Sequence, residues 1–404
     1  MFSPVTEKHM KAVFERYFCP KTELLYEFVV DETGNAWHHL PSVEEINAAV
    51  PNPCGWGTGM EDSVMNGGNA IDMLITVYEL TKDVRIKPCV DSLFRGLLRC
   101  ADGKKNKGFV ARSISPFDGE SHYIESSRDQ YTHWIYAALH LYNSPLADDG
   151  QREQIRKVLA AIAQKCERDV LPENDFHMLR EDGTVGRVNK MWGDVGTHEW
   201  LRLPMFYLAA FCVTKDPHWE KLYLQYRDEA VARSLMHDPS KMRCYASLQM
   251  QCALRLIYDY DEDPAVREKM RQLMLRNAAF GAEKAVENSA ACCDPKQNEV
   301  IHYRFRPWNG IEPFHQGVFG GYNYDNPAQS ERRDVNPAFY PVREVAEGAI
   351  MAAMCPMFSV TSELSSAVDA MAERIDLKRF SSIYAPLLLS EAHILCTARM
   401  KQDE

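Results

Sequence analysis

No run of basic residues occurs anywhere in this chain of 404 residues, and its formal charge is −11. That balance excludes the electrostatic footprint of a nucleic-acid-binding surface. No apolar stretch approaches the roughly 20 residues that cross a bilayer, so no membrane-spanning helix is expected. The twelve cysteines are scattered, without a CxxC pair or an evenly spaced framework. Residues such as Cys212 and Cys252 lie among apolar neighbours, which reads as buried free thiols in a reducing compartment. Residues 1–7 carry neither a basic stretch nor an apolar core of the kind that opens a secretory leader, and the expected location is cytoplasmic. Metal-ligand spacings, phosphate loops, dinucleotide fingerprints and serine-nucleophile motifs are all missing, so no cofactor is expected. No convincing strand-period segment occurs apart from short pieces inside loops, such as the alternation at Tyr303 and Phe305 that would set Arg304 and Arg306 on one side.

Helical periodicity is abundant. One stretch organises the rest: Ser126-Ser127-Arg128-Asp129-Gln130-Tyr131-Thr132-His133-Trp134. From Tyr131, apolar residues recur at Trp134, Ile135, Ala138, Leu139 and Tyr142, the stripe of an amphipathic helix. Similar patterns predict helices over 5–18, 60–80, 84–100, 129–142, 150–168, 200–213, 217 onward, 242–259, 264–285, 341–355, 361–375 and 382–400. Gly67-Gly68 is expected to interrupt the second. Pro204 must lie in the first turn of its helix or kink it. Asp216-Pro217 and Asp263-Pro264 each read as an N-cap followed by proline at the first helical position.

The junctions repeat. Tyr78-Glu79-Leu80-Thr81-Lys82-Asp83 matches Phe211-Cys212-Val213-Thr214-Lys215-Asp216, and the segments after Tyr258 and Leu141 are looser copies. Each time an apolar helix ends in a tight turn and a more polar helix follows. Twelve helices of this kind predict an all-α toroid, with six hairpins closed into a double ring, the last helix pairing with the first and 1–404 forming one catalytic domain. The uneven connections precede the apolar helices, so they share one face. The N-termini of the inner helices point to that face and favour an anionic ligand.

Three junctions place acids there: Trp56 through Glu61-Asp62-Ser63, then Arg128-Asp129, and Trp192 through Asp194, His198 and Glu199. The plain alternative for each acid is helix capping. What sets these three apart is an aromatic or His residue within a few positions. Apolar sugar faces stack on aromatic rings, and paired carboxyls perform the acid–base work of glycoside cleavage. Asp129 and Asp62 are the expected catalytic pair, because neighbouring inner helices bring their first turns within about 10 Å. Asp194 and Glu199 are the reserve. Trp56, Trp134, Trp192 and Trp308 are candidate stacking platforms. His133 lies one turn past Asp129 and is either a pocket residue or a core histidine. In the third long loop, Tyr303, Arg304, Arg306, Trp308 and His315 form a candidate carboxylate receptor, since Arg binds carboxylates bidentately.

On these residues the chain resembles the six-hairpin, or (α/α)6-barrel, glycosidase group, over nearly its whole length. Within that group it looks most like the unsaturated glucuronyl hydrolases and related uronic-acid-processing enzymes. Glu61-Asp62-Ser63 followed by Gly67-Gly68 resembles their first catalytic site. Arg128-Asp129-Gln130-Tyr131 resembles their second, with Arg where the family carries its first acid. The resemblance implies a hydrolase acting on oligosaccharides that bear glucuronic acid, by simple hydrolysis as readily as by hydration of a double bond. Two other readings stay open: an epimerase, isomerase or lyase using His198, His133, His315 or Tyr303 as base, and a carbohydrate-binding protein without turnover. A homo-oligomer is left open as well.

Overall fold

A computed structural model of the chain describes residues 2–27, 37, 40–50, 52–55, 58–101, 103, 106–186, 188–291, 339–378 and 382–403. Twelve long helices dominate the described residues: α1 (Pro4–Ala12), α2 (Ser63–Thr81), α3 (Lys87–Cys100), α4 (Arg128–Asn143), α5 (Asp149–Asp169), α6 (Arg202–Thr214), α7 (Pro217–Ser234), α8 (Cys244–Tyr260), α9 (Pro264–Ala291), α10 (Phe339–Met354), α11 (Ser362–Arg374) and α12 (Tyr384–Asp403). A two-residue hairpin pairs β1 (Phe18–Cys19) with β2 (Leu24–Leu25). The even-numbered helices pack in the cyclic order α2, α4, α6, α8, α10, α12 and back to α2. Each odd-numbered helix covers its partner from outside, and α1 closes the ring against α12. The molecule is therefore the (α/α)6 toroid expected from the junction pattern.

Sequence accounts for the two layers. Inner helix α6 is apolar almost all round and is buried from Arg202 to Ala210; a helix of that kind must be enclosed. Outer helix α3 buries Val90, Leu93, Phe94, Leu97 and Cys100, a single stripe. Pro204 sits in the first turn of α6, where its missing N–H costs nothing. Asp216 caps α7 by accepting from His218 N, and Asp263 accepts from Ala265 N.

The repeated junction is one turn built twice. Lys82 and Lys215 both adopt the left-handed conformation, with φ 55° and 57°. In each copy a threonine hydroxyl, Thr81 or Thr214, donates back to the carbonyl four residues earlier and accepts from the N–H of the following Asp. Each Lys ammonium lies over the aromatic ring one turn back, at 5.5 Å from the Tyr78 centroid and 5.4 Å from that of Phe211. The looser copies differ at the cap: Asp261, after α8, is extended.

The expected break at Gly67-Gly68 does not occur. α2 runs through both, and a side chain at Gly68 would meet the carbonyl oxygen of His133 at 2.9 Å. Gly68 allows α2 and α4 to approach closely, and Gly67 makes room for the Leu97 side chain of α3. The closest such crossing joins α9 to α10. A Cβ at Gly348 would lie 2.4 Å from Gly281 O, and one at Gly281 would lie 2.5 Å from Gly348 O. Gly348→Ala is expected to push these backbones apart and destabilise the fold by about 1–3 kcal/mol; a denaturant midpoint equal to wild type would contradict this contact.

Candidate active site

Asp62 occupies the N-cap position of α2, yet its side chain makes no capping bond. Its carboxylate instead gathers donors from elsewhere in the ring. Oδ1 accepts from Arg112 Nη2 at 3.1 Å and from Gln130 Nε2 at 2.7 Å, and Oδ2 accepts from the Tyr384 hydroxyl at 2.6 Å. Gln130 is held in place because its Nε2 also reaches Glu61 O while its Oε1 accepts from Met65 N. Arg112 Nε donates to the same Glu61 carbonyl at 2.7 Å. Glu61 thus serves through its backbone, and its own side chain is buried.

Asp129 stands in the first turn of α4 and accepts from Arg202 Nη1 at 2.6 Å. Arg202 is 1% exposed, and its other terminal nitrogen donates to Gln249 of α8. One guanidinium therefore ties α4, α6 and α8 together. Burial works against the charged form of Asp129, but Arg202, with Arg128 behind it, outweighs that and holds the carboxyl well below the usual carboxylate range. The two acids belong to one face: Gln130, which binds Asp62, follows Asp129 in sequence, and Arg112 is attracted by both. The Asp62 side chain is 18% exposed and that of Asp129 36%, so both can be reached from solvent.

The surrounding groups form further pairs. Arg128 turns away from Asp129 to Glu199, at 2.6 Å, and donates to Lys190 O. Arg343 of α10 pairs with Glu347 at 2.7 Å and lies 4.5 Å from the centroid of the Tyr384 ring. Burial pushes the Glu347 carboxyl up to about 7 against the opposing pull of Arg343. His198 stands 3.6 Å from Glu199, and burial, reinforced by Arg202 and Arg128, pushes it down to about 3. Burial likewise pushes His133 down to about 4; it lines a small internal cavity with Asp72, Tyr136 and Glu391 below the Asp129 turn.

Several expectations need correction. Trp134 is fully buried, and its indole N–H donates to Leu97 O at 3.1 Å, so it is a core residue and not a stacking platform. Trp192 is buried edge-on between Trp200 and Tyr226, at centroid distances of 4.6 and 4.8 Å. Asp194 is solvent-exposed and takes no part in the network. Glu199 is the partner of Arg128, not a second catalytic pair with Asp194. Trp56, Tyr303, Arg304, Arg306, Trp308 and His315 lie outside the described residues. Sequence reasoning passed over Glu27, Arg112, Arg202, Gln249, Arg343, Glu347 and Tyr384. Arg202 carried a signal nonetheless: it is the single charge in an otherwise apolar helix.

No protein-family model matches the chain, and no curated protein matches it. Among solved structures it is similar to a reducing end xylose-releasing exo-oligoxylanase, with 13% identity, 98% of this chain and 92% of that chain covered, and a TM-score of 0.42. The Rex8A protein of Paenibacillus barcinonensis, solved as an E70A mutant with an arabinofuranosyl-xylotetraose, shows 13% identity, 93% and 95% coverage and a TM-score of 0.40. An α-1,6-mannanase of Salegentibacter sp. HEL1_6 shows 13% identity, 74% and 89% coverage and a TM-score of 0.35. Likenesses this distant carry no argument about what the present chain acts on. The double ring rests on its own helix contacts.

The pairing of Asp129 with Arg202 has a definite pH signature. A carboxyl depressed on folding stabilises the native state above its unfolded value of about 3.9. That contribution disappears as pH falls through the lower folded value. Arg202→Met removes the main source of depression, so Asp129 takes up its proton at higher pH. Acid unfolding followed by circular dichroism is expected to begin at a higher pH than in wild type; an unchanged midpoint would show that the pair does not hold Asp129 ionised.

Proposed function

We propose that this chain is a glycoside hydrolase acting on oligosaccharides, with Asp62 and Asp129 as its working carboxyls. The observation that carries the reading is the contrast between two reachable carboxyls mounted on neighbouring inner helix starts. Cleavage of a glycosidic bond needs one carboxyl that gives a proton to the leaving oxygen and one that stays ionised to activate water or attack the sugar. Asp129, gripped by Arg202, suits the ionised role. Asp62 then falls to the proton-donating role, and its hydroxyl partner Tyr384 connects it to further exchangeable hydrogens. Arg112 and Gln130 hold its other oxygen, so the proton would leave from a fixed position.

The finer reading is a substrate bearing a uronic acid. It is supported by the positive ends of the inner helices, which favour an anion at this face. Proton abstraction from carbon by histidine is the weaker alternative, since burial makes His198 and His133 poor bases.

A panel of uronic-acid-bearing and neutral oligosaccharides, read by product mass, tests this. Each cleavage is expected to add one water, and the uronic-acid-bearing members are expected to turn over fastest. Asp62→Asn and Asp129→Asn are each expected to lower kcat by about 10²–10⁴. Full turnover in both variants would discard the site, and an unsaturated product would replace hydrolysis with elimination.

A further inference from the structure

Behind Asp62 lies a third carboxyl, that of Glu27, which is 1% exposed. Its backbone carbonyl accepts from Ile383 N at 2.8 Å, so the residue is moored beside the start of α12. Its Oε2 accepts from Glu61 N at 3.3 Å. Its Oε1 lies 2.8 Å from the Tyr384 hydroxyl oxygen, and the same oxygen lies 2.6 Å from Asp62 Oδ2. A phenol has one hydrogen to give and can accept others. Were both carboxyls ionised, one of these short contacts would set lone pair against lone pair. Both contacts are hydrogen bonds only when one carboxyl carries a hydrogen and donates it to the phenol oxygen.

We infer that Glu27 and Asp62 share one carboxyl proton through Tyr384, and that Glu27 is the reservoir from which Asp62 is reprotonated. The first half stands on geometry alone. The second rests on the hydrolase reading given above. The groups facing this relay are Glu61 and Arg112 beside Glu27 and Asp62, Gln130 from α4, and the Arg343–Glu347 pair of α10 against the Tyr384 ring. At rest the proton belongs on Glu27: burial and the nearby Glu61 and Asp62 charges oppose its ionisation, while Asp62 faces Arg112 directly. Burial, together with the adjoining carboxylates, likewise keeps the Tyr384 phenol protonated.

In turnover the hydrogens balance as follows. The phenolic hydrogen of Tyr384 moves to Asp62 Oδ2 while the phenol oxygen takes the carboxyl hydrogen of Glu27, so the one shared proton now stands on Asp62. As it passes to the glycosidic oxygen, the C–O bond to the leaving group breaks and Asp62 and Glu27 are both left ionised. The attacking water gives its proton to Asp129, which releases it to solvent, and a solvent proton taken up by Asp62 returns through Tyr384 to Glu27. No group changes oxidation state.

Infrared difference spectroscopy on the full-length protein, without substrate, tests the first half. Against wild type at neutral pH, Glu27→Gln is expected to lose one protonated-carboxyl band. Loss of an ionised-carboxylate band in its place overturns the inference. The glutamine amide can still donate to the phenol, so the fold is expected to hold. Should that variant fail to fold, Tyr384→Phe must move the Glu27 band by removing its acceptor, and an unmoved spectrum overturns the inference. On the oligosaccharide turned over fastest in the panel, Glu27→Gln is expected to lower kcat roughly ten- to hundred-fold with KM nearly unchanged. The alkaline limb of its pH profile is expected to move to lower pH. An unshifted profile rejects the reservoir role while leaving proton sharing intact. Absence of turnover on every oligosaccharide rejects the hydrolase reading, and the infrared result is unaffected.

Discussion

A guanidinium buried in a helical ring must find a carboxylate, and that requirement shapes the open face of this molecule. Arg202 is the clearest case: it projects from a helix otherwise made of apolar residues and is almost wholly enclosed. Left alone, such a charge would cost several kcal/mol. Asp129 from α4 and Gln249 from α8 accept from its two terminal nitrogens, so three inner helices are held in register at their starts. Arg112 with Asp62 and Arg128 with Glu199 repeat the arrangement around the rim. Buried ion pairs contribute little net stability compared with apolar packing of the same volume, although losing one partner is costly. What they confer here is the position of carboxyl groups that still reach solvent.

The ring has two electrically different ends. Inner helices begin at the face that carries Asp62 and Asp129, where free N–H groups favour negative charge. They finish at the opposite face, around a cavity of about 250 Å³ lined by Asp72, His140, Arg255 and Asp259 among others. There His140 lies in the last turn of α4, 2.5 Å from Asp72 and 3.8 Å from Glu79. Burial opposes its charge, but the two acids prevail and push the imidazole up to about 10. The same fold therefore depresses the histidines nearer the open face and raises the one at the far end. At the open face burial is the largest cause of the depression, and at the far end the paired acids outweigh it.

Much of this architecture was legible in the chain. Apolar periodicity located all twelve helices, because a helix that must be enclosed is apolar nearly all round and one that covers it carries a single stripe. The Thr-Lys-Asp junctions repeat because one tight turn solves the same problem twice. The acids at the inner helix starts were also visible, as residues that pair charge with neighbouring aromatics. The roles of those neighbours were not. Trp134 and Trp192 looked like sugar platforms but fill the core, since a large ring near a helix start can turn either inward or outward and local sequence does not say which. Gly67-Gly68 looked like a break for a similar reason: the chain shows a missing side chain and hides the helix that moves into its place.

Sequence alone determined the helical layers, the order of the hairpins and the end of the ring where acids collect, all of which follow from patterns within a few turns of chain. The partners of those acids were decided by tertiary structure. Tyr384 reaches Asp62 across 322 positions, Arg202 reaches Asp129 across 73, and Glu27 meets Tyr384 across 357. Ring closure brings Tyr384 to Asp62 and Glu27, and the packing of adjacent inner helices brings Arg202 to Asp129. Hydrogen bonds and charge pairing fall off over a few ångströms, so which carboxyl holds a proton depends on contacts that no local spacing encodes.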